Sequence, residues 1–145
     1  MAVHWTLEVV PVPVADLDRA KEFYETKLGF AVDLDQEVAP GVRIVQTTPP
    51  GSRCSLALIQ GMPPFPGTRE MPPGSLQGLQ LCVTDIEAAR EKLLAAGVAV
   101  SPVMHVGAEG WAPGRGGVWN AFLTFTDPDG NGWAVQEAPS ELTER

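Results

Sequence analysis

The side chains best suited to proton transfer lie close together in a glycine-rich part of the second half of the chain. His105 comes just before this stretch and Glu109 lies within it, so the two resemble a general acid and base. A single histidine in a strand is more often structural than catalytic. The pair is a weak catalytic candidate, and the sequence leaves open whether the protein is an enzyme.

Aromatic side chains occupy the same stretch. Residues 107–117 are rich in glycine and include Trp111 and Arg115, and Trp119 follows directly. A loop of this composition can move, and each tryptophan could bury roughly 150 to 250 Å² against a planar ligand. The alternative is that one or both tryptophans pack in a dimer interface. Trp111 and Trp119 are therefore candidate ligand-binding residues.

The same order of predicted secondary-structure elements occurs in both halves of the chain, and these elements would position the candidate side chains. In each half an apolar strand leads to an aspartate, a helical pattern, a glycine and then further strands. The aspartates are N-cap candidates and the glycines fit a left-handed helix end: Asp16 with Gly29, and Asp85 with Gly97. The sequence therefore predicts two helices at equivalent places.

Each half reads as a βαβββ module. Module one spans residues 3–60 and module two spans 77–138, and they are joined by a linker of residues 61–76 whose proline density excludes a helix or a central strand. A length of 145 residues and 44% hydrophobic content fit one domain, residues 1–145, with its own core.

Specific motifs give the chain a family resemblance. The segments VADLDRAKEFYETKLGF (residues 14–30) and FTDPDGNGWAVQE (residues 125–137), with a D-I-E-A-A helix between them, resemble the vicinal oxygen chelate superfamily of glyoxalases, bleomycin-resistance proteins and extradiol dioxygenases. The resemblance implies an α+β fold in which two tandem βαβββ modules form a curved, eight-stranded mixed sheet. This sheet is a cup, with the helices on its convex side.

The resemblance also implies where a metal would bind. Metal-using members carry histidine or glutamate on the first and last strand of each module, and these positions correspond here to Val9, Ser55, Gly78 and Ala134. None of these residues supplies the imidazole or carboxylate that such a site needs. We therefore expect the metal-free branch, with no metal and no other cofactor. Glu8 and Glu137 lie beside ligand positions, and only a β-bulge would turn them into the cup, so they are weak metal candidates.

Strand alternation predicts which other side chains face the cup. Residues that alternate with the ligand positions share the concave face, whereas the opposite set is apolar and suits a helix-covered core. The ligand-binding candidates on the concave face are Trp5, Ser55, Gln80, Cys82, Asn120, Phe122, Thr124 and Gln136. The alternative is that the amides satisfy only one another or a buried water.

Charge and composition limit the partners. A net charge of −8 and a pI near 4.6 argue against nucleic acid or an anionic membrane as a partner. No apolar run reaches the roughly 18 residues of a membrane span, and the first residues lack a signal-peptide pattern. Cys54 and Cys82 lie in apolar runs, which predicts reduced, buried thiols and a cytoplasmic location.

Two classes of function remain. The first is a homodimeric binding protein that sequesters an aromatic or largely apolar drug or metabolite, as the bleomycin-resistance resemblance implies. The second is a metal-independent lyase, isomerase or cyclase that polarises a carbonyl of a small metabolite with hydrogen bonds from the cup. A metal-dependent glyoxalase or dioxygenase is less compatible with the four ligand positions.

Overall fold

The computed structural model describes residues 2–139 and divides into two compact units. The first unit contains residues 2–76 and 128–131, and the second contains residues 77–127 and 132–139. The elements of the first are β1 (Val9–Pro13), α1 (Leu17–Glu22), β2 (Ala31–Ala39), β3 (Val42–Thr48) and β4 (Ser55–Gln60). Those of the second are β5 (Leu79–Val83), α2 (Ile86–Ala95), β6 (Met104–Gly107), β7 (Gly110–Pro113), β8 (Phe122–Thr126) and β9 (Gly132–Glu137).

Each unit is built around a mixed sheet. The strand order is β1-β4-β3-β2 in the first unit and β5-β9-β8-β6-β7 in the second. In both, the first and last strands are parallel neighbours, and the other pairs are antiparallel. Helix α1 contacts β3 and β4, and α2 contacts β8 and β9. The α+β class predicted from the sequence is confirmed.

The strands differ from the expected eight-stranded single sheet. Among residues 2–139 there are nine strands in two hydrogen-bonded sheets. The additional strand is β7, which pairs with β6 in a hairpin of residues 104–113. Residues 107–117 were expected to form a loop on account of their glycines. Gly110, the first residue of β7, has a φ of +107°, so the glycines shape a hairpin and do not prevent pairing.

The predicted helix boundaries are confirmed. Asp16 accepts a hydrogen bond from the Arg19 main-chain N–H at 3.2 Å, and Asp85 accepts one from Ala88 at 3.0 Å. Gly29 and Gly97 have φ values of +75° and +83°. These aspartates satisfy N–H groups of the first turn that lack a partner within the helix, and the glycines allow the chain to reverse after it.

The first helix changes geometry before its end. After α1, residues Phe23–Lys27 form a π-helical turn in which the Leu28 N–H bonds to the Phe23 carbonyl at 3.0 Å. Phe23 and Tyr24 are adjacent in sequence, yet both are buried, with ring centroids 5.2 Å apart. A wider turn shifts the helical register, and this lets two consecutive aromatic residues face the core.

The D-P-D-G-N motif has a structural role in the first unit. Asn131 is fully buried, where its amide donates to the Pro13 carbonyl at 2.9 Å and accepts from the Leu76 N–H at 3.1 Å. Asp129 accepts hydrogen bonds from the Ala15 N–H and from Arg19, at 3.2 and 2.9 Å. The motif therefore fixes the junction between β1 and α1.

Candidate ligand-binding site

One face of the second sheet carries a row of side chains that alternates with its core. Leu123, Phe125, Trp133 and Val135 point towards the helix side and are buried. The strand register places Gln80, Ala134 and Thr124 side by side on the opposite face, across β5, β9 and β8. The next row contains Cys82, Gln136, Phe122 and Met104. For β8 and β9 the alternation predicted from the sequence is confirmed by this burial.

A cavity of about 290 Å³ lies on this face. Its walls are formed by the residues that we call the aromatic pocket: Gln80, Met104, Trp111, Phe122, Thr124 and Ala134. Trp111, on the β6–β7 hairpin, meets Phe122 edge-on, with ring centroids 5.3 Å apart and an interplanar angle of 88°. The pair forms an aromatic wall beside a floor of small and thioether side chains, which is a composition typical of small-molecule sites.

Gln80 and Thr124 are the polar side chains of the aromatic pocket. The Gln80 Nε2 donates to Gln136 Oε1 at 2.5 Å, while its own Oε1 has no hydrogen-bond partner among residues 2–139. The Thr124 hydroxyl also has no partner within that range, because the strand contacts of this residue use its main chain. A ligand could therefore accept a hydrogen bond from the hydroxyl and donate one to the amide oxygen.

Gln136 and Asn120 support the site without lining it. Gln136 Nε2 donates to the main-chain oxygen of Trp119 at 2.7 Å, so both ends of this amide are engaged. Asn120 exchanges two hydrogen bonds of 2.9 Å with the main chain of Val106. Both residues were predicted to contact a ligand, which stays a prediction; their amides have protein partners in the structure.

Trp119 lies in a different concavity, with an unusual backbone conformation. Its φ is +67°, a left-handed value that a bulky residue rarely adopts. The surrounding turn is closed by hydrogen bonds from the Gly116 N–H to the Asn120 carbonyl and from the Asn120 N–H to the Gly117 carbonyl. Arg115, Trp119 and Glu137 line this second concavity, whereas Trp111 lines the aromatic pocket.

The acid and base candidates are not joined in the structure. The Nδ1 atom of His105 lies 2.9 Å from the carbonyl oxygen of Gly114, and Glu109 is exposed in the turn between β6 and β7. Within the described part of the chain no hydrogen bond or ion pair links these two side chains. Neither residue lines the aromatic pocket.

Three sequence candidates lie in the first unit. Trp5 was expected on the first strand, but β1 begins at Val9, and the Trp5 side chain is 88% exposed. Ser55 is buried, and its hydroxyl lies 2.6 Å from that of Thr48. Glu8 accepts a hydrogen bond from the Thr6 hydroxyl at 2.6 Å. None of these side chains belongs to the aromatic pocket.

The positions that bind metal in related folds do not fit a metal here. Val9 and Ser55 are neighbours across β1 and β4, and the neighbour of Ala134 across β5 and β9 is Gln80. Gly78 precedes β5 and has a φ of +84°. Aliphatic groups, a hydroxyl and a neutral amide do not form the imidazole and carboxylate set that zinc or iron requires.

Glu137 points away from the aromatic pocket and is held by a helix end and a cation. It accepts the Ile86 N–H at 3.0 Å and two hydrogen bonds from Arg115 at 2.5 and 2.9 Å. Arg115, and then the Ile86 N–H, lower the pKa of Glu137 to about 2. Asp85 and Glu87 also bring carboxylate oxygens close to it, and Arg115 pairs with Glu87 as well as with Glu137.

The two cysteines are less buried than expected. Cys54 is half-buried and Cys82 is exposed, on the same face as Gln136. The prediction that both thiols are buried is wrong for Cys82, because the face of β5 opposite the helix is open within its own unit.

Comparison with known proteins agrees with this fold. The sequence model of the Glyoxalase/Bleomycin resistance protein/Dioxygenase superfamily matches residues 3–135. The chain belongs to this superfamily. A comparison with curated protein sequences finds no significant match. No helix in residues 2–139 is both long and apolar enough to span a membrane.

Several solved members of the superfamily are similar over nearly their full length. TnmS3, an antibiotic binding protein from Streptomyces sp. CB03234, shares 34% identity with a TM-score of 0.72, covering 95% of this chain and 98% of its own. A glyoxalase/bleomycin resistance protein from the same organism also shares 34% identity, with a TM-score of 0.69 and coverages of 90% and 99%. A superfamily member from Sphaerobacter thermophilus DSM 20745 shares 28%, with a TM-score of 0.69 and coverages of 92% and 98%.

Proposed function

We propose that the protein is a metal-independent binding protein that sequesters an aromatic, largely apolar small molecule, such as an antibiotic or metabolite, in the aromatic pocket. The observation that carries this proposal is the edge-on pair of Trp111 and Phe122, which stands beside the open amide of Gln80 and the open hydroxyl of Thr124. Similarity to TnmS3, an antibiotic binding protein, supports an antibiotic as the ligand.

The lining favours binding over catalysis. The six side chains of the aromatic pocket are amide, hydroxyl, thioether, aromatic and methyl groups, and none exchanges a proton readily near neutral pH. His105 and Glu109, the sequence candidates for acid and base, lie outside it. A metal-independent lyase, isomerase or cyclase would need a proton-transferring group that this lining does not supply.

The lining of the aromatic pocket is neutral, which favours an uncharged ligand. The chain carries a net charge of −8, but no ionised side chain lines the aromatic pocket. Burial of a charged ligand group against neutral walls would leave the charge without a partner, which is costly. The proposed ligand is therefore uncharged where it enters the pocket, with a carbonyl or hydroxyl group that reaches Gln80 or Thr124.

Exposed apolar residues support a homodimer as part of this proposal. Val3, Trp5 and Leu7 alternate along the N-terminal segment with exposures of 67, 88 and 75%. Several large apolar side chains exposed in one short segment are typical of a surface that another protein covers.

Light scattering tests whether the protein is a homodimer. It is expected to give twice the chain mass for the wild type and a monomer for the double variant Trp5→Ser, Leu7→Ser. A monomeric wild type would contradict this part of the proposal.

The test of binding is calorimetric titration with a panel of neutral aromatic antibiotics in the presence of EDTA. We expect saturable binding of at least one compound, with quenching of tryptophan fluorescence, and an about 5-fold or greater loss of affinity in Trp111→Leu because the aromatic wall is removed. Leu94→Ala, on the exposed side of α2, serves as the matched control and should bind normally. Loss of wild-type binding in EDTA would contradict metal independence.

A further inference from the structure

The proline-rich linker lines a cavity that is separate from the aromatic pocket. Residues 61–76 contain no helix or strand, as their proline content predicts. Together with one end of the first sheet they line a solvent-open cavity of about 420 Å³, whose lining residues all belong to the first unit. This linker cavity lies within the range of about 300 to 1,000 Å³ that is usual for small-molecule sites.

Both ends of the linker are fixed to the first unit by glycines. Gly61 has a φ of +78°, and a Cβ there would collide with the main-chain oxygen of Gly41. Gly74 has a φ of +80°, a Cβ there would collide with the main-chain oxygen of Asp129, and its N–H donates to the Pro13 carbonyl at 3.3 Å. Such close backbone approaches require glycine. The linker is therefore a loop with defined ends, and its position over the sheet is built into the fold.

The middle of the linker is also organised by hydrogen bonds. The carbonyl oxygen of Phe65 accepts the Thr68 N–H at 2.9 Å and the Thr68 hydroxyl at 2.7 Å, which closes a turn. This turn presents Phe65 and Arg69 at the cavity wall. A serine- or threonine-stabilised turn holds its flanking residues in place at little entropic cost when a ligand binds.

The walls of the linker cavity suit an aromatic ring. Met62, Met71, Ile59 and Pro13 line it, and thioether sulfurs make favourable contacts with aromatic rings. Phe65 is 67% exposed at the same wall, so a ligand ring could cover it.

The linker cavity has one charged side chain of each sign. Arg69 and Glu70 both line it, so the net charge of its lining is zero. Within residues 2–139 Arg69 has no hydrogen bond or ion pair, which leaves its planar guanidinium available to stack on an aromatic face. We propose that the linker cavity is a second ligand site, and that it binds a neutral aromatic molecule of one or two fused rings.

Methionine methyl groups allow both sites to be observed in one experiment. The chain has four methionines, of which Met62 and Met71 line the linker cavity and Met104 lines the aromatic pocket. The full chain, labelled with ¹³C at the methionine methyl groups, is titrated with 2-naphthol and followed by NMR. We expect the Met62 and Met71 resonances to shift in a saturable way with one common Kd.

Variants of the cavity wall test where the probe binds. Arg69→Ala should raise the Kd reported by Met62 and Met71 by about 2- to 5-fold, because one cation–π contact is lost. Phe65→Ala should also raise this Kd. Arg53 is an exposed arginine of the same unit outside the cavity, so Arg53→Ala should leave the Kd unchanged. Well-dispersed methyl spectra of each variant show that it is folded.

The outcomes separate this second site from the aromatic pocket. Shifts at Met62 and Met71 that do not depend on Phe65 and Arg69, or no shifts up to the solubility limit of 2-naphthol, would overturn the second site. Shifts confined to Met104 would also overturn it while supporting the aromatic pocket. Shifts at Met62 and Met71 that respond to both variants support the second site, whatever Met104 does.

Discussion

The Nε2 atom of Gln80 lies 2.5 Å from Oε1 of Gln136, and Gln136 in turn donates to the main-chain oxygen of Trp119 at 2.7 Å. The Gln136 amide thus connects Gln80, a polar side chain of the aromatic pocket, to the turn that holds Trp119 at a φ of +67°. Left-handed conformations of bulky residues persist where the surrounding contacts hold them. Gln136 is therefore a positioning residue for both Gln80 and Trp119.

Removal of the Gln136 amide should loosen the Trp119 turn. In Gln136→Leu the Trp119 carbonyl loses its hydrogen bond, and a net loss of about 1 kcal/mol corresponds to about 5-fold easier local opening. The measurement is hydrogen exchange of the Asn120 amide, which bonds to the Gly117 carbonyl inside this turn. The Ala88 amide at the start of α2 should be unaffected. Unchanged exchange at Asn120 would show that the turn holds itself without Gln136.

The helix ends should tolerate only residues that accept a left-handed backbone. Gly97 has a φ of +83°, and nothing lies within 4 Å of a Cβ placed there, so a substitution is costly for backbone reasons alone. Gly97→Val should reduce the free energy of unfolding by about 1 kcal/mol or more. Urea denaturation measures this, with Gly117→Ala as the control, since that glycine has open space and no positive φ. Equal stability of the two variants would contradict the assigned helix end.

Glu137 should make stability depend on pH in the acidic range. Its folded-state pKa of about 2 lies below its usual value of 4.5, because Arg115 and the Ile86 N–H favour the ionised form. The ionised group therefore stabilises the fold above pH 4.5, and this contribution disappears as the pH falls towards 2. The difference in urea midpoint between wild type and Glu137→Gln should be largest at neutral pH and should shrink through this window. Glu109→Gln, at an exposed residue, serves as the control.

Periodic and capping signals made much of the fold predictable from the sequence. Asp16 and Asp85 cap helices because a short acidic side chain before an apolar stripe has few other roles, and Gly97 ends a helix for a steric reason. Alternation placed Gln80 and Phe122 on one face, since a strand offers only two faces. These signals are local, so a single sequence contains them.

The parts of the fold and of the candidate site that the sequence did not predict depend on contacts that local signals do not encode. The β6–β7 hairpin was missed because glycine suggests a loop, although the alternation of Met104, Val106 and Trp111 across its turn could have indicated pairing. The roles of Asn120 and Gln136 depend on main-chain oxygens far along the sequence. The cavity under the linker arises from backbone approaches at Gly61 and Gly74, and a proline-rich segment does not reveal these by its composition.

The most direct test of ligand binding in the aromatic pocket is its affinity for a neutral aromatic antibiotic, compared between Gln80→Leu and Glu137→Gln. Gln80 lines this pocket with an open amide oxygen, whereas Glu137 is bound to Arg115 outside it. Loss of the amide leaves a buried ligand group unsatisfied, which costs about 1 to 3 kcal/mol, or about 5- to 150-fold in Kd. We expect this loss for Gln80→Leu and a change of less than about 2-fold for Glu137→Gln. Abolished binding in Glu137→Gln with normal binding in Gln80→Leu would contradict it.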